Sequence, residues 1–223
     1  MSPSKRAVIF ANGVLDHPES ARLALRPDDL LIAADGGARH CRQLGLQPTI
    51  LIGDFDSLDE SELAFLQAGG TEIIRHPRSK DFTDLELALR HAHSLGIEDV
   101  LVFGALGRRW DQTLANLLLP AASDLMGMSI RLEDGPQEVM LLRSPGQLHF
   151  QGQSGDTVSL IPLGGDAHGV STDGLEYPLL GETLYFGATR SLSNVLLGEL
   201  AEVGLREGLL LCVVIHQDGG SNA

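Results

Sequence analysis

The chain has 223 residues, of which 43% are hydrophobic and 21% are charged, and this balance excludes general disorder. Thirty acidic residues against sixteen basic ones give a formal net charge of −14. Because the sequence has no basic tail or stripe, we expect no nucleic-acid partner.

Membrane and secretory signals are missing from the sequence. No segment approaches the roughly 18 consecutive apolar residues of a membrane span. Residues 1–16 carry a short apolar run that Asn12 and Gly13 interrupt, which favours a first strand over a signal peptide. Cys41 and Cys212 lie far apart and form no CxxC pair, as is typical of a reducing compartment. We therefore expect a cytoplasmic protein with no membrane partner.

Strand-like and helix-like segments alternate in the first half. Short apolar runs that end at Gly, Pro or Asp predict strands at residues 7–13, 30–37, 49–57, 71–77 and 99–107. Between the last two, an apolar stripe predicts a helix, with Thr83 and Glu86 placed as a capping box and Gly96 at its end. Such alternation predicts a parallel sheet, and ligands of parallel sheets bind beyond the carboxyl ends of the strands.

A second helix is predicted at residues 111–119. Leu114, Leu117 and Leu118 share one of its faces, and Asp111 is placed to cap its N-terminus. This helix completes the alternating part of the sequence.

The pattern changes after about residue 127. Strand-like runs, beginning with SIRLEDG at 129–135, follow one another between Gly, Pro, Asp and Ser, and they predict an antiparallel sandwich or a partly closed barrel. The sequence therefore predicts an α/β protein in two domains. An N-terminal parallel-sheet domain of Rossmann-like type occupies residues 1–126, and an all-β domain occupies residues 127–223.

Aspartates follow the predicted strands of the first domain, and a parallel sheet would bring them to one edge. They are Asp35, Asp54, Asp56, Asp81, Asp84 and Asp111. In an extended chain the carboxylates of Asp54 and Asp56, two residues apart, would point to the same side. Each aspartate alone suits a helix cap or a turn. Clustered carboxylates need a cation, and carboxylate oxygens suit Mg²⁺ that also binds substrate phosphates. The sequence thus predicts a metal–phosphate site.

Basic residues and glycines lie close to these aspartates. Lys80 directly precedes Asp81, and Arg108 and Arg109 precede Asp111, so Lys80 and one of the arginines are placed to grip a phosphate chain. The alternative for these side chains is ordinary surface ion pairing. The pair Gly36–Gly37 either forms a simple strand–helix turn or lets backbone N–H groups approach phosphate.

Several motifs together resemble the thiamin pyrophosphokinase family. They are DGGA (35–38), GDFDS (53–57), KDFTDLELAL (80–89), GALGRRWDQTLAN (104–116), GLEYPL (174–179) and SLSN (191–194). They occur in the order of the family. The resemblance implies an N-terminal α/β domain, a C-terminal β-sandwich that binds thiamine, and a homodimer with active sites at the subunit interface.

The resemblance also implies roles for individual residues. Mg²⁺ would be bound by Asp54, Asp56 and Asp84, which with Lys80 and Arg109 form the catalytic set. ATP would be bound by Asp35, Gly36, Gly37, Ser57, Asp81, Thr83, Asp111, Gln112 and Asn116. Thiamine would be bound by Tyr177, Ser191, Ser193 and Asn194.

The implied activity is transfer of a pyrophosphoryl group from ATP to thiamine, which gives thiamine diphosphate and AMP with Mg²⁺ as the cofactor. Two alternatives stay open at this point. One is a related pyrophosphokinase that acts on another heterocyclic alcohol, such as a hydroxymethylpterin. The other is a nucleotide or thiamine sensor that binds without turnover.

Overall fold

A parallel β-sheet organises the first unit, Met1–Gly135. The computed structural model describes residues 6–79, 81–107 and 109–217. The strands of this unit are β1 (Arg6–Phe10), β2 (Leu30–Ala34), β3 (Ile50–Gly53), β4 (Glu72–Arg75), β5 (Asp99–Phe103) and β6 (Ser129–Asp134). Their order is β6-β5-β1-β2-β3-β4, and each neighbouring pair is parallel. The predicted parallel sheet is confirmed.

Helices connect these strands. They are α1 (Pro18–Ala24), α2 (Ala38–Gln43), α3 (Glu60–Ala68), α4 (Asp84–Ser94) and α5 (Trp110–Leu118). Helix α4 confirms its prediction, since the Thr83 hydroxyl accepts a hydrogen bond from the Glu86 N–H at 3.2 Å. Gly96 follows the helix with a φ of 74°. The Glu86 carboxylate accepts instead from Arg90, one turn further along the helix, so the predicted capping box forms only on its Thr83 side.

Helix α5 differs from its prediction at both its cap and its face. It begins at Trp110 with Arg109 in the N-cap position, so Asp111 lies inside the first turn, and the predicted Asp111 cap is wrong. The shared apolar face is not buried: Leu114 is 59% exposed and Leu118 is 41% exposed. Periodicity identified the helix but not the surroundings of its apolar stripe.

Strand β1 lies at the point where the sheet reverses its strand order. Its partners are β2 on one side and β5 on the other, and Ala7 to Phe10 are fully buried. A continuous apolar run of this kind is typical of a strand covered on both faces. In open parallel sheets, such a reversal leaves a crevice between the loops that follow the two strands.

The second unit, Pro136–Ala223, consists of antiparallel strands. They are β7 (Gln137–Arg143), β8 (Gly146–Gln151), β9 (Thr157–Pro162), β10 (Ala167–Asp173), β11 (Leu180–Leu184), β12 (Asn194–Val195), β13 (Leu200–Leu205) and β14 (Leu209–Ile215). One set runs in the order β12-β9-β14-β7, and a 4-stranded sheet runs β11-β10-β13-β8. Buried side chains from both sets, among them Phe150, Val158 and Val203, belong to one hydrophobic cluster.

The run 129–135 was predicted as a strand of the antiparallel domain, and this is wrong. It forms β6, which pairs in parallel with β5, and the two units divide after Gly135. Ile130 and Leu132 are buried between more exposed neighbours. Such alternation is typical of antiparallel strands, so the sequence pattern did not indicate the parallel pairing with β5.

Two further findings bear on the sequence predictions. Among the described residues, no helix combines the length and apolar character needed to cross a membrane. Cys41 and Cys212 are buried free thiols, and burial raises the pKa of each to about 12.

Candidate functional site

Three carboxylates meet beyond the ends of β2 and β3. Asp35 follows β2, and Asp54 and Asp56 follow β3. One oxygen from each lies within 4.8 Å of the others, in an arrangement that could hold a metal ion. The sequence predicted Asp54 and Asp56 at a metal, and the structure brings Asp35 to them.

Asp35 is the buried member of this cluster, with only 4% of its surface exposed. No hydrogen-bond partner among the described residues reaches its Oδ1, and the Asn12 amide approaches its Oδ2 only at 3.5 Å. A buried carboxylate without donors is unfavourable unless a cation compensates it. The cluster therefore fits a hard divalent cation such as Mg²⁺ in its ligand chemistry.

The turn after β3 sets the directions of the other two carboxylates. Phe55 has a φ of 63° and is buried in the core, so the chain is not extended between Asp54 and Asp56 as predicted. The Asp56 N–H instead donates to Asp54 Oδ1 at 3.2 Å. Arg78 pairs with Asp56, and the Arg75 guanidinium lies 4.7 Å from the centre of the Phe55 ring.

Gly53 lies between Asp35 and Asp84. A Cβ at this position would lie 3.1 Å from the Asp35 Cβ and 3.1 Å from Asp84 Oδ1. Its φ of 154° also favours glycine. Asp84, at the start of α4, is thus placed beside the cluster, although it is outside the set of three that meets most closely.

A cleft of about 640 Å³ opens at the reversal of strand order. Its walls come from the loop after β1, the start of α4, the loop after β5 and α5. The lining residues that carry polar side chains are Asn12, Thr83, Asp84, Arg109, Asp111, Gln112, Thr113 and Asn116. Most of these were predicted to bind ATP or metal, and the structure brings them to one cleft.

Hydrogen bonds fix the loops that form this cleft. The N–H groups of Gly13 and Val14 donate to the carbonyls of Gly104 and Leu106, at 2.7 and 2.8 Å. A Cβ on Gly13 would lie 2.3 Å from both carbonyl oxygens, so only glycine permits this approach. The Asn116 amide donates to the Ala105 carbonyl at 2.6 Å and ties α5 to the loop after β5.

The sequence reasoning did not assign Asn12 and Thr113. Asn12 contacts Asp35 from the end of β1, and Thr113 Oγ1 lies 3.2 Å from both the N–H and the carbonyl of Gly107. A polar residue at the end of an otherwise apolar first strand was the available signal for Asn12. For Thr113 the available signal was its place within the motif GALGRRWDQTLAN (104–116).

Of the basic residues predicted to contact the phosphates, Arg109 is the one that the structure describes. Arg109 forms an exposed ion pair with Asp111 at 2.5 Å, and this hydrogen bond lowers the pKa of Asp111 and raises that of Arg109. Lys80 and Arg108 lie outside the described residues. Asp81 is exposed and does not line the cleft.

The glycine pair and Ser57 are enclosed by neighbouring groups. A Cβ on Gly36 would lie 2.1 Å from the Asn12 side chain, and one on Gly37 would lie 1.8 Å from the Phe10 carbonyl oxygen. This packing accounts for both glycines, and their approach to phosphate stays a prediction. The Ser57 hydroxyl is buried without a hydrogen-bond partner in the described part of the chain. The backbone carbonyl of Ser57 accepts a hydrogen bond from Arg39.

A smaller pocket of about 120 Å³ lies in the second unit, and Tyr177, Ser191 and Asn194, which were predicted to bind thiamine, are among the residues that line it. The side chains of Ser191 and Asn194 form hydrogen bonds with the backbone. Asn194 accepts from the Tyr177 N–H at 3.0 Å and donates to its carbonyl at 2.7 Å, while Ser191 donates to the Leu160 carbonyl. Ser193 has a φ of 58° and donates its N–H to Ser159. The bonds from Asn194 fix the backbone of Tyr177, and this residue is 63% exposed.

Solved and curated proteins resemble this chain along most of its length. The thiamine pyrophosphokinase of Bacillus subtilis is 28% identical over 185 residues, which cover 82% of this chain and 86% of that protein. Thiamine pyrophosphokinase 1 of Arabidopsis thaliana is 28% identical over 78% of this chain and 67% of that protein. The crystal structure of the B. subtilis enzyme matches with a TM-score of 0.84 at 26% identity, covering 96% of this chain and all of that chain.

Two family models match consecutive parts of the chain. The model of the thiamin pyrophosphokinase catalytic domain matches residues 21–129, which contain the aspartate cluster and most of the cleft. The model of the thiamin pyrophosphokinase vitamin B1 binding domain matches residues 147–210, which contain the pocket around Tyr177. Together they span more than half of the sequence, and the chain belongs to the thiamin pyrophosphokinase family.

Proposed function

We propose that this protein is a thiamine diphosphokinase that transfers a pyrophosphoryl group from ATP to thiamine. The observation that carries the proposal is the buried Oδ1 of Asp35, which has no hydrogen-bond partner among the described residues, within a three-carboxylate cluster near the polar cleft. A metal–phosphate site needs both parts, because the cation compensates the carboxylates and the cleft accommodates the nucleotide.

The residues that would hold Mg²⁺ are Asp54 and Asp56, with Asp35 in direct reach of both and Asp84 beside Gly53. Bound Mg²⁺ supplies positive charge to phosphoryl oxygens as the phosphate chain is cleaved. The sequence prediction placed Asp35 at ATP and Asp84 at the metal, and these roles stay predictions. We propose that both face the Mg-ATP complex.

ATP would occupy the cleft of the first unit. The hydroxyethyl oxygen of thiamine attacks the β-phosphorus, the bond from that phosphorus to the oxygen bridging it to the α-phosphorus breaks, and AMP leaves with that oxygen. The hydroxyl proton passes to a nearby carboxylate acting as the base. Arg109 is positioned on the cleft wall to offset phosphate charge, and Asn116 keeps the wall in place. Lys80, predicted in the same role, remains a proposal.

Thiamine would bind at the pocket of the second unit, where Tyr177 offers an aromatic face to a cationic thiazolium. Ser191, Ser193 and Asn194 act there through the backbone bonds that hold this surface. We propose that the two antiparallel strand sets form the β-sandwich of the family, that the first unit is the Rossmann-like catalytic domain, and that the second is the thiamine-binding and dimerisation domain. A cytoplasmic location stays a prediction.

A homodimer with active sites at the subunit interface is part of this proposal. Trp110, Leu114 and Leu118 are spaced four residues apart on α5, and they are 85%, 59% and 41% exposed. This apolar stripe, next to cleft residues of the same helix, is the kind of surface that a second subunit covers.

The test is a quenched incubation of purified protein with Mg-ATP and either thiamine or a hydroxymethylpterin, followed by chromatographic separation. We expect thiamine diphosphate and AMP in equal amounts, and no product with the pterin. ADP with thiamine monophosphate would contradict pyrophosphoryl transfer. Pterin turnover would favour the related pyrophosphokinase, and binding of Mg-ATP without any product would favour a sensor.

A further inference from the structure

A basic residue is among those that line the pocket around Tyr177, although the proposed substrate is a cation. Arg190 lines this pocket beside Tyr177 and Asn194. A guanidinium there would repel the thiazolium of thiamine and reduce its occupancy. The pocket therefore needs a compensating negative charge if it is to favour thiamine.

Glu182 supplies that charge. It lies on β11, and its Oε2 is 2.6 Å from Nη2 of Arg190. The Glu182 side chain is 33% exposed and the Arg190 side chain is 68% exposed, so the pair is partly screened by solvent. Arg190 lines the pocket, whereas Glu182 is not one of the lining residues and reaches the pocket only through its ion pair with Arg190.

We propose that Glu182 is a specificity-determining residue, which neutralises Arg190 so that the pocket accepts a cationic substrate. This inference rests on the proposed function, because it takes thiamine as the occupant of the pocket. Glu182 acts through Arg190 and is therefore a positioning residue. Its effect should depend on the charge of the ligand rather than on its shape.

Replacing Glu182 and replacing Arg190 should change the KM for thiamine in opposite directions. Glu182→Gln leaves Arg190 uncompensated and should raise the KM for thiamine about three- to tenfold, the range for one unit charge a few ångströms away in a solvated site. Arg190→Gln leaves Glu182 uncompensated and should lower that KM. The double variant, with neither charge, should return close to the wild-type value.

Charge-matched controls separate this effect from a general loss of structure. Glu202→Gln removes one carboxylate from the same unit at a residue that pairs with His149 and does not line this pocket, and it should leave the KM for thiamine unchanged. The KM for ATP and the melting temperature should not change in any variant. Raising the ionic strength to about 0.5 M should shrink the effect of Glu182→Gln.

The deciding probe is an uncharged thiamine analogue in which carbon replaces the thiazolium nitrogen. Its KM or inhibition constant should be the same in the wild type and in Glu182→Gln. An equal loss for thiamine and for this analogue would overturn the proposal, as would a double variant no better than Glu182→Gln. A lower kcat in Arg190→Gln with weaker inhibition by thiamine diphosphate would also overturn it, because Arg190 would then bind the diphosphate.

These outcomes remain distinct from failure of the proposed function. If the wild-type protein forms no thiamine diphosphate, the function itself is wrong and no KM can be measured. If it does form thiamine diphosphate and the variants do not separate by charge, only the role of Glu182 is wrong.

Discussion

Asp35 combines a left-handed backbone conformation with a buried carboxylate. Its φ is 46°, a region that Asp and Asn enter more readily than most residues. The backbone thus directs the carboxylate toward Asp54 and Asp56, where its Oδ1 has no donor among the described residues. This placement has a physical cost for folding and a use in binding a cation, which makes Asp35 the most informative residue to replace.

Asp35→Asn should weaken Mn²⁺ binding to the nucleotide-free protein tenfold or more, as measured by electron paramagnetic resonance of free Mn²⁺. Asparagine tolerates the same φ, and removal of one of three adjacent charges relieves repulsion, so the melting temperature should not fall. The exposed Asp28→Asn is the control for the loss of one charge. Unchanged Mn²⁺ affinity with a lowered melting temperature would make Asp35 a purely structural residue.

At the same scale, the sequence predicted that aspartates collect but not which of them meet or how they are arranged. Strand ends predicted six aspartates at one edge, because parallel strands end there, and three of them, Asp35, Asp54 and Asp56, meet closely. The sequence could not show that Phe55 adopts a φ of 63° and anchors the turn in the core. That turn depends on tertiary packing, which local spacing does not encode.

At the scale of elements, the end of β3 constrains both the backbone and the carboxylates of the site. Gly53→Ala should lower the free energy of unfolding by about 1–3 kcal/mol, because its φ is strained for alanine and its Cβ meets Asp35 and Asp84. Urea unfolding and Mn²⁺ binding measure the two consequences. Gly70→Ala is the matched control, since Gly70 also has a positive φ, of 93°, but open space around it. It should lose stability and keep Mn²⁺ binding, and equal loss of binding in both variants would refute the crowding argument.

A histidine at the end of β14 links three elements of the second unit. Its Nδ1 lies 2.7 Å from Asp156 and its Nε2 lies 3.2 Å from Glu138. Burial lowers the pKa of His216, but the hydrogen bonds to these two carboxylates outweigh burial and raise it above its ordinary value of 6.5. The protonated form is therefore favoured in the folded state.

The sign of the pH dependence follows from that shift. A raised folded pKa contributes stability that is complete below pH 6.5 and is lost as the pH rises through the folded pKa. We expect His216→Gln to flatten this slope and to cost on the order of 1 kcal/mol at pH 6. Urea unfolding at several pH values measures it, with the exposed His93→Gln as the control. A wild-type slope that persists in His216→Gln would assign the dependence to other groups.

Strands and helices were predictable where periodicity and turn residues agreed, as in α4. Helix α5 was predicted as an element, yet its leucines are exposed and its cap is Arg109. Strand β6 alternates like an antiparallel strand but pairs in parallel. In both cases the pattern identifies the element and its apolar positions, and it does not report what, if anything, packs against them.

At the scale of the whole molecule, α5 connects the proposed site to the proposed dimer. Leu114→Asn should raise the dimer dissociation constant more than tenfold, because burying a leucine at an interface contributes about 1.5–3 kcal/mol. Sedimentation analysis over a concentration series measures this constant. Leu95→Asn, at a leucine that is 52% exposed next to α4, is the matched control and should have no effect. A monomeric wild-type protein, or equal effects of both variants, would contradict this interface.

The central claim is that this chain moves two phosphates together from ATP to thiamine. ³¹P nuclear magnetic resonance of a single reaction mixture with Mg²⁺ tests it most directly, provided that each product signal is assigned by adding authentic AMP, ADP, thiamine monophosphate and thiamine diphosphate. The assignment is needed because both possible product pairs consist of one monophosphate ester and one diphosphate ester. We predict that the three ATP signals decline while the two signals of thiamine diphosphate and the one signal of AMP grow in equal molar amounts, and that Asp56→Asn abolishes this change. Growth of ADP and of a monophosphate ester would contradict the account.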